Sequence, residues 1–337
     1  MAHWTMILTL RMTMMNRSTP WEQIAEPSTD YNVKRVADTT GIPFYWGKDT
    51  TGRCLLIIEL EGDHTYQYRR DVTHLNGISV DLRKGENESQ QRLILTLERH
   101  IDSDLFLGLC ETLISSLASV TDSAVALSVT FQHLKRWKAF LAGKKARLLT
   151  NEEIRGLFAE LHVLRQLYLR RLTQDEAIDA WCGADGAHQD FIFGNIAIEV
   201  KSLSGRERNS VRISSEDQLE ALVDSLFLMT VRLIETPDSE TARSLNDMVA
   251  LIEQELVTAE AIEKFSGKIA ACGYAELADY DRPRFTVGST DGYTVTDQFP
   301  RIIRSRLLQG LFHVTYEIQL EAIAPFVCEE NEIFGRV

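Results

Sequence analysis

The sequence predicts an α/β (α+β) protein, a mixed sheet flanked by helices, with a β-rich module before it and a helical and β extension after it. Three observations carry this. Between about residues 131 and 235, helical and strand patterns follow in the order helix, three strands, helix, strand. Before residue 130, short β-prone runs are separated by Gly, Asn and Asp. After residue 236, two helical patterns precede further strands. The expected division is residues 1–16 as a non-core leader, 17–130 as the β-rich module, 131–235 as the core and 236–337 as helices and strands packing on it. Of the 337 residues, 44% are apolar and 25% charged, the range of globular chains.

The elements follow in order. Met1 to Met15 is Met-rich and interrupted by Arg11, and no small-residue cleavage site follows. It reads as a translated leader, with Met14 or Met15 as the alternative start. Pro43 to Trp46 leads through a glycine-containing turn to Cys54–Leu60, a good buried strand. Tyr66–Arg69, Gly77–Leu82 and Gln91–Glu98 read as further strands. Phe106–Ala118 has helical spacing, and Ala124–Val129 fits strand or helix. Thr150 with Glu153 forms a capping-box pattern that opens a helix at about residue 151. A strand near Ala177–Cys182, a hairpin after Gln189, a strand Ser210–Ile213, a capped helix from Ser214 and a strand Leu226–Ile234 complete the core. Beyond it, residues 238–272 hold two helices, with Met248, Leu251, Ile252, Glu255 and Leu256 on one face and Ile262, Phe265 and Ile269 on the next. Arg284–Thr296 suggests a hairpin around Thr290-Asp291-Gly292, and Leu311–Ile323 a long strand.

The hairpin carries the chemistry. Gly194-Asn195 is a two-residue turn between β-rich runs, so Phe193 pairs with Ile196, Ile192 with Ala197, Phe191 with Ile198 and Asp190 with Glu199. The two carboxylates then oppose each other with Cβ atoms roughly 5 Å apart, and Lys201 shares their face. Opposed like charges destabilise a strand pair, and a divalent cation removes that cost; oxygen ligands at this separation suit Mg²⁺. A solvated face on which the lysine neutralises the pair is the other reading of the hairpin alone. In the helix from residue 151, Ile154, Leu157, Phe158, Leu161, Leu164, Leu167 and Tyr168 fill one apolar arc, and Glu160 falls inside it. A carboxylate aimed at a core is costly unless it is protonated, paired or bound to metal. A glutamate snorkelling at the edge of the interface is the plain alternative.

Glu160 on a helix, then Asp190, then Glu199-Val200-Lys201, resembles the PD-(D/E)XK nuclease superfamily. The strings Gly156-Leu157-Phe158-Ala159-Glu160-Leu161, Trp181, Asp190-Phe191 and Ile198-Glu199-Val200-Lys201-Ser202 are similar to a narrower group of PD-(D/E)XK proteins linked to restriction and phage defence. Those matches cover about residues 150 to 220. Gln189 stands where the motif name has proline, a residue that shapes the strand and ligates nothing. The resemblance implies a restriction-endonuclease-like sheet and a Mg²⁺-dependent endonuclease, with Mn²⁺ as a substitute. Asp190 and Glu199 would hold the metal, with the Val200 carbonyl as a third ligand, to polarise a phosphate and acidify a water. Lys201 would position or deprotonate that water and offset transition-state charge. Glu160 would take a second metal or a water on the first. Gln218 is a candidate for orienting the nucleophile, with an ordinary surface glutamine as its alternative. His188 shares the parity of Asp190 and reads as a surface histidine. Asp185 reads as a turn residue.

The net charge of −13 opposes non-specific DNA binding, which relies on phosphate neutralisation. The charge is uneven. Lys135, Arg136, Lys138, Lys144, Lys145 and Arg147 form a basic run with Trp137 and Phe140 interleaved. Arg206, Arg208 and Arg212 follow the hairpin, and Arg301, Arg304 and Arg306 cluster later. Each group could line a DNA groove or be a solvated face. Ile213 to Glu263 holds twelve acidic residues against Arg232 and Arg243, and is expected to face away from DNA. Five widely spaced cysteines without a CxxC motif point to a reducing cytoplasm and away from zinc. No apolar run approaches the roughly 20 residues that span a bilayer.

The expected partners are DNA and, from the resemblance, a methyltransferase or ATPase subunit of the same system, with no membrane; a homodimer stays open. A non-catalytic subunit keeping the fold, and a nuclease acting on RNA or in repair, are the rival functions. The complete acidic set is the main difficulty for the first rival.

Overall fold

A run of apolar residues without polar interruption suits a strand covered on both faces, and Leu55 to Ile58 lie in such a strand, all four buried. The structure is a computed structural model that describes residues 19–37, 41–85, 87, 89–98, 102–142, 147–205, 209–220 and 223–335. The expected leader lies outside the described residues, as do Lys144, Lys145, Arg206 and Arg208. The chain divides into two compact units, 1–142 and 143–337.

In the first unit, β1 (Tyr31–Arg35), β2 (Phe44–Asp49), β3 (Cys54–Glu61), β4 (Ile78–Lys84) and β5 (Gln90–Leu97) form an antiparallel sheet in the order β1-β2-β3-β5-β4. The unit's helices are α1 (Thr65–Asp71), α2 (Ser103–Ser116) and α3 (Ser123–Ala142). Trp21 anchors the core, stacked on Phe106 at 5.4 Å, with its indole N–H donating to the Leu55 carbonyl at 2.9 Å. The expected strand at Tyr66–Arg69 is helix α1 instead. Its two tyrosines suggested β structure, but Tyr66 is exposed and Tyr68 reaches across to donate to the Val80 carbonyl. Ala124–Val129 resolves as helix. Trp137 and Phe140 are buried, whereas Lys135, Arg136 and Lys138 are exposed. The aromatics of that basic run therefore pack inward and offer nucleic acid no stacking surface.

The second unit contains α4 (Asn151–Arg170), α5 (Gln174–Ala180), β6 (Phe191–Phe193), β7 (Ile196–Ser204), β8 (Ser210–Ile213) and β9 (Ser225–Glu235). It continues through α6 (Leu245–Glu255), α7 (Ala259–Ala271), β10 (Phe285–Thr294), β11 (Tyr316–Gln319), α8 (Leu320–Ile323), β12 (Val327–Cys328) and α9 (Glu330–Phe334). The main sheet runs β12-β10-β9-β7-β6, with β7 and β9 parallel and the other pairs antiparallel. Strands β8 and β11 form a separate pair. Their residues Val211, Ile213 and Ile318 share a core with Ala197 and Leu203 of β7 and with Leu226 and Leu228 of β9. Helix α4 starts at the expected capping box and buries Ile154, Leu157, Phe158, Leu161, Leu164 and Leu167, with Phe158 edge-on to Phe285 at 5.3 Å. Tyr168 ends the arc half-buried, donating its hydroxyl to Glu255.

Several expectations are corrected here. Ala177–Cys182 is not a strand: Thr173 and Glu176 cap α5 through Ala180, and Trp181 alone bridges to Phe191. No helix follows Ser214, where residues 216–219 form a turn, because the local carboxylates are drawn to partners outside it. The expected hairpin at Arg284–Thr296 is instead the single strand β10, with a register shift between Val287 and Ser289. At Gly292 an added Cβ would lie 2.5 Å from Ile333 Cδ1, so that glycine serves close packing and not a turn. The long strand expected at Leu311–Ile323 is short, Tyr316–Gln319, and passes into α8. In α7, Phe265 and Ile269 are buried but Ile262 is exposed. Among the described residues no helix is long and apolar enough to cross a membrane.

Candidate active site

The hairpin folds in the register that its turn dictates. Gly194 takes a positive φ of 51°, and Phe193 pairs with Ile196, Ile192 with Ala197 and Phe191 with Ile198. Asp190 lies one residue before β6. Its amide donates to the Ile198 carbonyl at 3.1 Å, and its carbonyl accepts from Cys182 at 2.8 Å and Gly183 at 3.0 Å. The loop after α5 is thereby tied to the hairpin.

Six predicted residues are brought together. Asp190 Oδ2 accepts from the Val200 amide at 2.7 Å, so Val200, expected to offer its carbonyl, meets Asp190 through its N–H. Lys201 Nζ lies 2.6 Å from Glu199 Oε1 and donates to Gln218 Oε1 at 3.1 Å. Gln218 Oε1 also accepts from the Ser214 amide at 2.8 Å. Glu160, projecting from α4, accepts the Trp181 indole N–H at 2.8 Å. Glu199 is buried at 1% exposure; Glu160, Asp190, Lys201 and Gln218 are half-buried. His188 and Asp185 are exposed, and Asp185 is ion-paired with Lys268 of α7 at 3.0 Å.

Burial and crowding set the electrostatics. Burial first, then the Asp190 charge, pushes Glu160 well above the usual carboxylate range, against the Trp181 hydrogen bond and Lys201. Burial also raises Asp190, opposed by Lys201 and the Val200 amide. Glu199 is pushed up to about 8 by burial and by Asp190, against the pull of Lys201. For Lys201, burial alone would lower the ammonium, but Glu199, Asp190 and Glu160 outweigh it and the net shift is upward. Three carboxyl groups crowd one lysine in a desolvated place, so the site favours bound protons unless another cation takes their part.

A divalent cation fits this donor set. Glu199 Oε2 is buried without a hydrogen-bond donor. A Cβ at Gly183 would stand 2.9 Å from Asp190 Oδ1 and 3.0 Å from Glu160 Oε2, so both carboxylates close on a cradle that only glycine leaves open. Among the described residues no three acidic, histidine or cysteine side chains are already drawn into a closed metal cage. Mg²⁺ does not need one, since it takes one or two carboxylates and completes its shell with water and phosphate. Asp190 and Glu199 would hold the ion, with Glu160 at its margin. Because the two oxygens facing Gly183 belong to side-chain ends and not to backbone, Gly183→Ala should fold but displace both, straining the Trp181 and Val200 hydrogen bonds that hold them. Calorimetry should show Mg²⁺ affinity weakened by roughly 10-fold or more, with an unfolding midpoint near that of the wild type.

The C-terminal arginines meet acids of the fold. Arg304 pairs with Asp217 at 2.6 Å and Glu216 at 2.8 Å, and both Arg301 and Arg306 face Asp297. Arg301 also donates to the Leu219 carbonyl at 2.6 Å. These arginines are engaged with protein acceptors, while Arg212 on β8 is exposed. Glu216 and Asp217, from the acidic stretch expected to face elsewhere, sit in the turn that carries Gln218. Sequence reasoning gave Gly183 no role, took Gln189 as a residue that ligates nothing and counted Arg304 in a basic cluster, without the partners that the fold brings to each.

A family model described as "Putative PD-(D/E)XK family member, (DUF4420)" matches residues 17–321. No curated protein and no solved structure matches the chain.

Proposed function

The chain belongs to the DUF4420 family of PD-(D/E)XK proteins, and from that premise we propose that it is a Mg²⁺-dependent endonuclease that hydrolyses phosphodiester bonds in DNA. One observation carries the reading: Glu160 and Asp190 close on the Gly183 cradle, the Glu199–Lys201 pair acts on both of them, and a carboxylate oxygen of Glu199 is buried without a hydrogen-bond donor.

In-line attack on phosphorus builds charge on the nonbridging and leaving oxygens. When bound, Mg²⁺ supplies Lewis acidity at the phosphate and a hard site for its oxygens. The chain's own residues do the rest. Asp190 and Glu199, with the Val200 carbonyl, would hold the ion. Lys201, held at Gln218 Oε1, places its ammonium hydrogens where charge develops on the phosphate and the incoming water. Glu160, fixed by Trp181, would hold a water or a second metal at the far side of the cradle.

Among the described residues, Arg304 is paired with Asp217 and Glu216, and Arg301 and Arg306 face Asp297, which lowers the positive charge these three offer to a phosphate backbone. That supports a subunit to which DNA is delivered by a partner, such as a methyltransferase or ATPase in a restriction or anti-phage module. Asp190→Ala tests the central claim. The substitution should abolish the calorimetric Mg²⁺ signal and lower plasmid nicking by roughly 10³-fold. A wild-type chain that binds neither Mg²⁺ nor Mn²⁺ and never nicks DNA would remove the reading.

A further inference from the structure

Gln189 precedes Asp190 and is buried at 7% exposure. A glutamine in that position is unexpected unless its amide has work, because a buried unsatisfied amide is costly. Its Nε2 points into the turn that replaces the expected helix after Ser214. It lies 3.1 Å from the Asp217 carbonyl, 3.3 Å from that of Gln218 and 3.2 Å from that of Glu220. Two amide hydrogens thus serve three converging carbonyls. The turn's own backbone bonds are long, at 3.3 Å from Gln218 to Ser215 and 3.2 Å from Glu220 to Asp217. It is also held from outside, by Arg304 on Asp217 and Glu216 and by Arg301 on the Leu219 carbonyl. Between these two holds, Gln218 turns its Oε1 to Lys201 and to the Ser214 amide.

We propose that Gln189 is a positioning residue, clamping the 214–220 turn from within so that Gln218 holds the Lys201 ammonium in place. The role rests on the hydrolytic reading of the site, and it couples the two halves of that site. Asp190 and Gln189 are neighbours on one segment, so the element that presents a metal ligand also fixes the turn that orients the lysine. A proline at position 189 would carry no side-chain donor and could not do this. Gln189 acts through Gln218, and the amide N–H groups, not the bulk of the side chain, are what matter.

Gln189→Met keeps the shape and removes the donors, so two measurements on the full-length chain decide the matter. In the metal-free protein, amide hydrogen exchange at Ser214, Gln218 and Glu220 should accelerate by tenfold or more, while the β6–β7 ladder keeps its protection. Unchanged exchange at Ser214 would overturn the clamp, whatever the enzyme does. In single-turnover cleavage, Gln189→Met should lower the rate about tenfold without changing the substrate concentration for half-saturation. The Gln189→Met/Gln218→Met double variant should then be no slower than Gln218→Met alone. Multiplying effects would mean that Gln189 acts elsewhere. If the wild type neither binds Mg²⁺ or Mn²⁺ nor cleaves, the nuclease reading fails, and the exchange result still decides the clamp. Should Gln189→Met not fold, Arg304→Met loosens the same turn from its exposed side, and the same acceleration at Ser214 is expected.

Discussion

Glu199→Gln is expected to stabilise the metal-free protein at pH 8 by on the order of 2 kcal/mol while reducing cleavage by roughly 10³-fold. The stability effect follows from proton linkage. The folded-state carboxyl titrates at about 8, against an ordinary 4.5 in the unfolded chain. Below pH 4.5 both states hold the proton and the site adds no penalty. Between 4.5 and 8 the unfolded chain has released a proton that the fold retains, so stability falls as pH rises. Above 8 the full penalty is present. The shift alone would correspond to about 5 kcal/mol. Glutamine also leaves Lys201 with less opposing charge, which offsets part of the gain. Urea unfolding without metal, at pH 5 and pH 8, separates the terms: the variant should gain far more over the wild type at pH 8. An equal gain at both values would mean that the carboxyl does not titrate with folding. Mg²⁺ should narrow the gap at pH 8, because only the wild type keeps the ligand that the ion neutralises.

Much of this site was legible from short-range signals. Gly194-Asn195 set the register of β6 and β7, and the Thr150–Glu153 box set the phase of α4, which decides that Glu160 faces Trp181. Such features depend on residues within a few positions of each other, and periodicity reads them. Other expectations failed where distant partners overrode local preference. Ser214-Ser215-Glu216-Asp217 resembles a helix start, yet Arg304 takes both carboxylates and Gln189 takes the carbonyls that a helix would have used. Thr290-Asp291-Gly292 has turn composition, yet it lies mid-strand because α9 packs against the glycine. The arginines near the C-terminus show a related limit. Composition counts Arg301, Arg304 and Arg306 as free charge, and only the fold shows the acids that they meet. Gly183 could not be found by motif at all, since its value is the missing Cβ between two carboxylates brought together from α4 and the hairpin.

Lys201→Met is expected to separate binding from chemistry. The ammonium stands 2.6 Å from Glu199 Oε1 and so competes with any cation for that oxygen. Removing it leaves Glu160, Asp190 and Glu199 facing one another without a positive group, and the electrostatic gain from a divalent ion grows. Mg²⁺ affinity should therefore hold or rise, by roughly threefold to tenfold, while single-turnover cleavage falls about 10³-fold. The metal-free variant should also be less stable than the wild type, because three buried carboxylates lose their one counter-charge. Calorimetry on the variant is the deciding measurement. Retained affinity with lost cleavage means that the lysine acts on phosphate and water, and that the carboxylates suffice for the ion. Lost affinity would mean that Lys201 is needed to gather the carboxylates, and that its partner Gln218 orders the metal site and not the nucleophile. The first outcome is the one the geometry favours. Asp190 is already fixed by the Val200 amide and Glu160 by the Trp181 indole, so two of the three carboxylates keep their places without the lysine.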